Sequence, residues 1–292
     1  MADLSERLVA LIEHAERVLD RLDKNLAAAP EAPDWNAATA YRWRRRGPRR
    51  GLLAVRVMAT IRLADLQGID EQKRRVDRNT RQFVQGRPAN NVLLTGARGT
   101  GKSSLVKACL HKYAPKGLRV IEVDKDDMVD LPDLMEMLEP RKERFIVFCD
   151  DLSFDEGEPG YKALKSVLDG SMSAQPGNVL IYATSNRRHL LPESMRDNLG
   201  YEHAENGDIH PGEVVEEKIS LSDRFGLWVS FYAFDQDHYL AIAEHWLRFF
   251  GASADQARAA HPEALLWALE RGSRSGRIAW QFARDWAGRK AA

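Results

Sequence analysis

Apolar residues recur at helical spacing near the start of the chain. Leu4, Leu8, Leu11, Ile12, Ala15, Leu19, Leu22 and Leu26 fall on one face of a 3.6-residue period and predict a helix over 4–26. The alanine-rich stretch 27–33, closed by Pro30 and Pro33, ends that helix and reads as a linker. From residue 61 the pattern changes to short apolar runs alternating with amphipathic segments. The runs 91–95, 118–123, 145–149, 179–184 and 227–234 predict five strands. The segments 70–84, 102–113, 131–139, 160–173 and 213–223 predict the helices. Strands separated by helices imply an α/β fold, a parallel sheet covered on both faces. Beyond Asp235 only the helical period persists, at 236–250, 254–259, 262–271 and 274–287. Three units are therefore expected: an N-terminal helical segment with a basic linker (1–50), an α/β core (51–235) and an all-helical unit (236–292).

A chain of 292 residues can hold one large domain and a smaller one. Lys+Arg and Asp+Glu both total 43, so bulk charge points to no class of partner and local charge must be read instead. The stretch 41–50 holds six arginines and no acid, with Tyr41 and Trp43 among them and Gly47-Pro48 interrupting it. It has two readings: a grip on nucleic acid, with bases stacked on the aromatics, or a solvated basic linker or subunit contact. Cys109 and Cys149, the only cysteines, lie in apolar stretches and read as buried thiols in a reducing compartment. The acidic start lacks a signal-peptide pattern, and no run approaches the ~18 apolar residues of a membrane span, so the expectation is a soluble cytoplasmic protein without membrane contact. His189, His203 and His210 lie in the loop 187–212 beside Glu202, Glu205 and Asp208, without tight ligand spacing, and read as a solvated loop.

The most specific chemical signal is Gly96, Ala97, Arg98, Gly99, Thr100, Gly101, Lys102 and Ser103. These residues spell GxxxxGK[ST] between a predicted strand and a predicted helix, the context in which the string has a mechanism. Glycines let backbone N–H groups close around phosphates, and the helix N-terminus adds its positive dipole end. Lys102 is placed to reach the β- and γ-phosphates, and Ser103 to supply a hydroxyl to Mg²⁺. The strand 145–149 then ends in Asp150 and Asp151. A Mg²⁺–nucleotide site needs one carboxylate at a strand end for the metal and a second to polarise the attacking water. Asp150 takes the first role and Asp151 the second.

A third buried run ends in Asn186. With it the chain resembles the AAA+ ATPases, in which such a strand lies between the other two and its terminal Asn touches the γ-phosphate and the water. Ser222-Asp-Arg224-Phe-Gly226 resembles the arginine-finger segment of that superfamily, where an Arg reaches the neighbouring subunit's γ-phosphate. Segment 272–280 resembles its second sensor, with Arg277 the better match and Arg274 the other. Segment 61–68 resembles the stretch that borders the adenine. The resemblance covers 61–288 in five motifs. More narrowly, the chain is similar to a bacterial AAA+ family designated a domain of unknown function, which shares the basic-aromatic lead-in and the double Asp. The resemblance implies ATP and Mg²⁺ as cofactors, a helical lid, a ring or open spiral with a hexamer among the options, and ATP hydrolysis to remodel or load a client. Most AAA+ enzymes carry Asp-Glu where this chain has Asp150-Asp151, and helicase or transposase loaders resemble it in having Asp-Asp. The alternative is thus a nucleotide-gated DNA- or protein-binding switch with negligible turnover. Residues 122–144 hold no aromatic residue and no glycine, unlike the pore loop of threading unfoldases.

Overall fold

The structure, a computed structural model, describes residues 9, 11–19, 21, 33–46, 49–56, 61–154, 158–170, 175–187, 202–203, 209–210 and 221–290. Of the expected N-terminal helix, the described positions between 9 and 21 are helical. The linker 27–32 and most of the helix expected over 213–223 lie outside the described residues.

The chain order is β1 (Ala40–Arg46), β2 (Arg49–Ala54), α1 (Asp70–Val84), β3 (Val92–Gly96), α2 (Lys102–Tyr113), β4 (Leu118–Glu122), α3 (Leu131–Leu138), β5 (Arg144–Cys149), α4 (Pro159–Asp169) and β6 (Val179–Ser185). A short antiparallel pair, β7 (Glu202–His203) and β8 (Ile209–His210), stands apart from the main sheet. β9 (Leu227–Phe231) then precedes the helices α5 (Gln236–Phe249), α6 (Ala254–Ala259), α7 (His261–Glu270) and α8 (Gly276–Lys290).

The main sheet runs β2-β1-β4-β5-β6-β3-β9. The five expected strands are its parallel core, and β6 lies between β3 and β5. Period-two alternation sends the side chains of β5 to opposite faces. Phe145, Val147 and Cys149 join one buried cluster with α3 and α4, while Ile146 and Phe148 join another with α1 and α2. A third cluster, including Tyr239, Leu247, Ala264 and Phe282, holds the C-terminal helices together.

The sheet has seven strands rather than five, because the basic stretch is not an exposed linker. β1 and β2 form an antiparallel hairpin that adds to β4, so the expected boundary at residue 50 falls inside paired structure. Trp43 and Tyr41 are fully buried. The Trp43 indole N–H donates to Asp130 Oδ2 at 3.2 Å, and the Tyr41 hydroxyl donates to the Asp34 carbonyl at 2.8 Å. Neither ring is available to stack on a base. The arginines that alternate with them are answered by acids: Arg42 pairs with Glu122, Arg44 with Asp124, and Arg50 with Asp130 and Asp133.

Candidate functional site

The glycine loop forms at the C-terminal end of β3 because side chains are excluded there. Gly96 has φ +123°, and a Cβ at that position would sit 1.9 Å from the Phe231 carbonyl oxygen of β9. Gly99 has φ +74°, and its Cβ would sit 2.7 Å from Ser275 Cβ. Both conformations are available to glycine alone at these contacts. The Thr100 hydroxyl donates to the Ala97 carbonyl at 2.8 Å and closes the turn. Gly101 caps α2 without a side-chain bond, so the first-turn amides have no side-chain acceptor and face an anion-binding geometry.

Lys102 opens α2 and is only 6% exposed. Its Nζ donates to the carbonyls of Gly96 (2.6 Å) and Ala97 (2.8 Å) and to Asn186 Oδ1 (3.0 Å). Burial pushes the ammonium below its ordinary pKa, and the carboxylates of Asp151 and Asp150 oppose that shift. The next residue, Ser103, donates its hydroxyl to Asp150 Oδ1 at 2.6 Å. A hydroxyl from the start of α2 and a carboxylate from the end of β5 thus converge on one point.

Thr184 organises the carboxylate side of the site. Its hydroxyl donates to Asp150 Oδ1 at 2.6 Å and accepts the Asp151 backbone N–H at 2.9 Å. Asp151 has φ +52°, the one positive φ outside glycine among the described residues. That turn aims its carboxylate at the Asn186 amide, which donates to Asp151 Oδ1. Arg98 lies 3.9 Å from the other Asp151 oxygen.

The helical unit closes on the loop. The Gly276 N–H, at the start of α8, donates to the Gly99 carbonyl at 2.9 Å. Arg277 follows and is exposed, with its Cβ 3.7 Å from where a Gly99 Cβ would stand. A Cβ at Gly101 would meet Ile69 at 3.4 Å and Leu66 at 3.9 Å, so the segment after residue 61 borders the loop. The structure therefore brings together the glycine loop, Asp150, Asp151, Asn186 and Arg277. It does not bring Arg224 to them. Arg224 precedes β9, at the end of that strand opposite Phe231 and the loop, and pairs with Asp169 of α4. Cys109 and Cys149 are buried, and burial pushes both thiols up to about 12, so neither supplies a nucleophile near neutral pH.

Two contributors were not visible in the sequence reading. Thr184 sits in a β-branched strand run and looks like packing, and Ser275 touches the loop only through the tertiary fold. The polar exit of the strand, Thr184-Ser185-Asn186, was the available signal for the first.

A glycine loop on one strand, paired acids two strands away, a polar strand end between them and a helical lid bonded to the loop define the class: the AAA+ ATPase fold. The chain belongs to the family described as "Protein of unknown function (DUF815)", whose model matches residues 36–290. No curated protein gives a significant match. Two single-residue variants of RuvB from Thermotoga maritima share the fold at 15% identity. One superposes with a TM-score of 0.53 over 78% of this chain and 65% of its own, the other with 0.52 over 76% and 63%. The chain thus spans less than two thirds of the RuvB length. A chain of the E. coli MS115-1 HORMA:CdnC:Trip13 complex matches at 13% identity and a TM-score of 0.47, over 78% of this chain and 93% of its own. Among the described residues no helix is long and apolar enough to cross a membrane.

Proposed function

We propose that the chain is a Mg²⁺-dependent ATPase that turns over slowly and works as an oligomer on a client. The carrying observation is the convergence of Ser103 Oγ and Asp150 Oδ1 at 2.6 Å beside a buried lysine on a glycine loop. A hydroxyl and a carboxylate are hard oxygen ligands, the donor set that fits Mg²⁺. Bound there, the ion would neutralise phosphoryl oxygens. The amides of residues 96–103 and Lys102 hold the phosphates in this reading. Asp151 orients the attacking water, and Asn186 and Arg277 contact the γ-phosphate. Arg224, distant from its own loop, serves a neighbouring subunit, where a planar guanidinium spans two phosphate oxygens.

One observation favours slow, gated turnover. Asp151 carries one methylene fewer than Glu, so it reaches less far toward a water, and Asn186 already occupies one of its carboxylate oxygens.

Thr184 is the positioning residue of this site. A hydroxyl has one proton. Because Thr184 accepts from the Asp151 N–H, its proton goes to Asp150, and one side chain sets both acids. Thr184→Val keeps the volume and removes the bonds. It should lower Mg²⁺ affinity or kcat by about 10–100-fold, the range for lost partners of metal ligands. Thr184→Ser should recover most of the loss. A Mg²⁺ titration of phosphate release decides this: a Val variant as active as wild type at limiting Mg²⁺ removes the role.

The oligomer is tested by mixing. Wild type should release phosphate from Mg·ATP, and Arg224→Ala subunits should bind ATP yet release little. Adding Lys102→Ala subunits, inactive alone, should restore part of the activity, since one composite site is then intact. No phosphate release by wild type sinks the ATPase reading. Release without rescue, from a wild type that stays monomeric in ATP by light scattering, sinks the finger alone.

A further inference from the structure

Three arginines without a partner among the described residues share one face of α1. The buried face of that helix carries Val76, Asn79, Thr80 and Phe83. On the opposite face Arg74, Arg78 and Arg81 recur at helical spacing, and all three are exposed. None of them has a hydrogen bond or ion pair among the described residues, whereas Arg42, Arg44 and Arg50 of the hairpin each have one. The three line a surface groove together with Arg75, Glu71 and Asp77. Arg75 is fixed by donating to the Trp228 carbonyl at 3.0 Å. Asp77 is already neutralised, since Lys112 Nζ donates to it at 2.8 Å and the Tyr113 hydroxyl at 2.9 Å. Lys112 and Lys116 stand 5.2 and 5.8 Å from the Tyr113 ring centroid and extend the positive field onto the end of α2. In a chain of zero net charge, four arginines thus line one groove with two carboxylates, and Lys112 already pairs with one of those.

We propose that this face binds the phosphodiester backbone of a nucleic acid strand. Guanidiniums match phosphate oxygens in pairs and keep their charge at any working pH. The three arginines do not converge on one point, as a single phosphate or a nucleotide would require. They form a ladder about 10 Å long, at about 1.5 Å rise per residue. That length of duplex axis carries about six phosphates, so each guanidinium has a separate partner. The face is independent of the glycine loop and does not rest on ATP hydrolysis.

The test is fluorescence anisotropy of the full chain with a short labelled single strand and the matching duplex over a salt series. Three phosphate contacts on a duplex account for about a 40-fold loss of affinity between about 50 and 200 mM salt, from a slope of about −0.9 per contact. Changing Arg74, Arg78 and Arg81 together to Gln, which keeps helix propensity, should weaken binding at low salt and remove that part of the slope. The triple Lys variant should retain the slope. Arg44→Gln with Arg45→Gln in the hairpin should leave affinity unchanged. Unchanged thermal unfolding of the Gln variant secures the comparison. No binding by wild type at low salt overturns the proposal, as does an unaltered slope in the Gln variant. Polyglutamate bound as tightly as DNA, with the same dependence on the three arginines, overturns it in favour of an acidic protein segment.

Discussion

Replacing Asp151 by Asn should leave ATP binding intact and slow phosphate release by about 10²–10⁴-fold, the range for a lost general base. The substitution suits this backbone. Asp151 sits at φ +52°, a region that Asn tolerates better than most residues. Its side chain is exposed, its N–H bond to Thr184 does not involve the carboxylate, and an amide oxygen can still accept from Asn186. Charge and basicity are lost while shape is kept, so the effect falls on the chemical step. Calorimetry should give an ATP affinity close to wild type, and single-turnover phosphate release should give the deficit. Wild-type release from the Asn variant would remove Asp151 as the base. A variant of this kind, held in ATP, is also the bait of choice for recovering a client from the loaded state.

Lys102→Ala should reduce ATP affinity by about 30- to 5,000-fold, because truncating one side of a buried, hydrogen-bonded charge pair costs about 2–5 kcal/mol. The fold should survive. Lys102 is buried among carbonyls and Asn186, and burial holds its pKa below the ordinary value, so the desolvation cost removed with the charge offsets part of the three hydrogen bonds lost. Its Ala replacement keeps helix propensity at the first position of α2. Equal ATP affinity of the two proteins by calorimetry would sink the assignment of the loop. Loss of the thermal transition in the variant would instead make Lys102 a structural residue.

What could be read from the chain was what is local. The five parallel strands and the helices α1 to α4 follow from runs of a few residues, and the glycine loop is contiguous. Residues 40–54 defeated that reading. Tyr41-Arg42-Trp43-Arg44 alternates with period two, which is a strand signal, but six arginines in ten residues hid it under charge. Only the acids at Glu122, Asp124, Asp130 and Asp133, some 80 residues on, explain why such a stretch can enter a sheet. The same distance hides Thr184, whose partners are 33 and 34 residues earlier. In sequence, a hydroxyl that bonds one acid's carboxylate and the next acid's backbone N–H and a threonine that packs a strand are the same letter. Arg224 shows the converse: its motif was legible, and the fold leaves it on the far side of β9 from its own loop.

The bond from the Gly276 N–H to the Gly99 carbonyl joins lid and loop through backbone alone. No mutation of a side chain removes it directly, and the bare Cα of Gly99 against Ser275 leaves no slack for a substitute. A change in the lid's position and a change in the loop's shape both act on this one contact. Linkage makes whatever coupling the contact carries reciprocal: the factor by which a ligand on the loop biases the lid is the factor by which a bias on the lid changes the loop's affinity. A helical unit of this kind is a two-way gauge, reporting the state of the loop outward and writing the state of its surroundings back in.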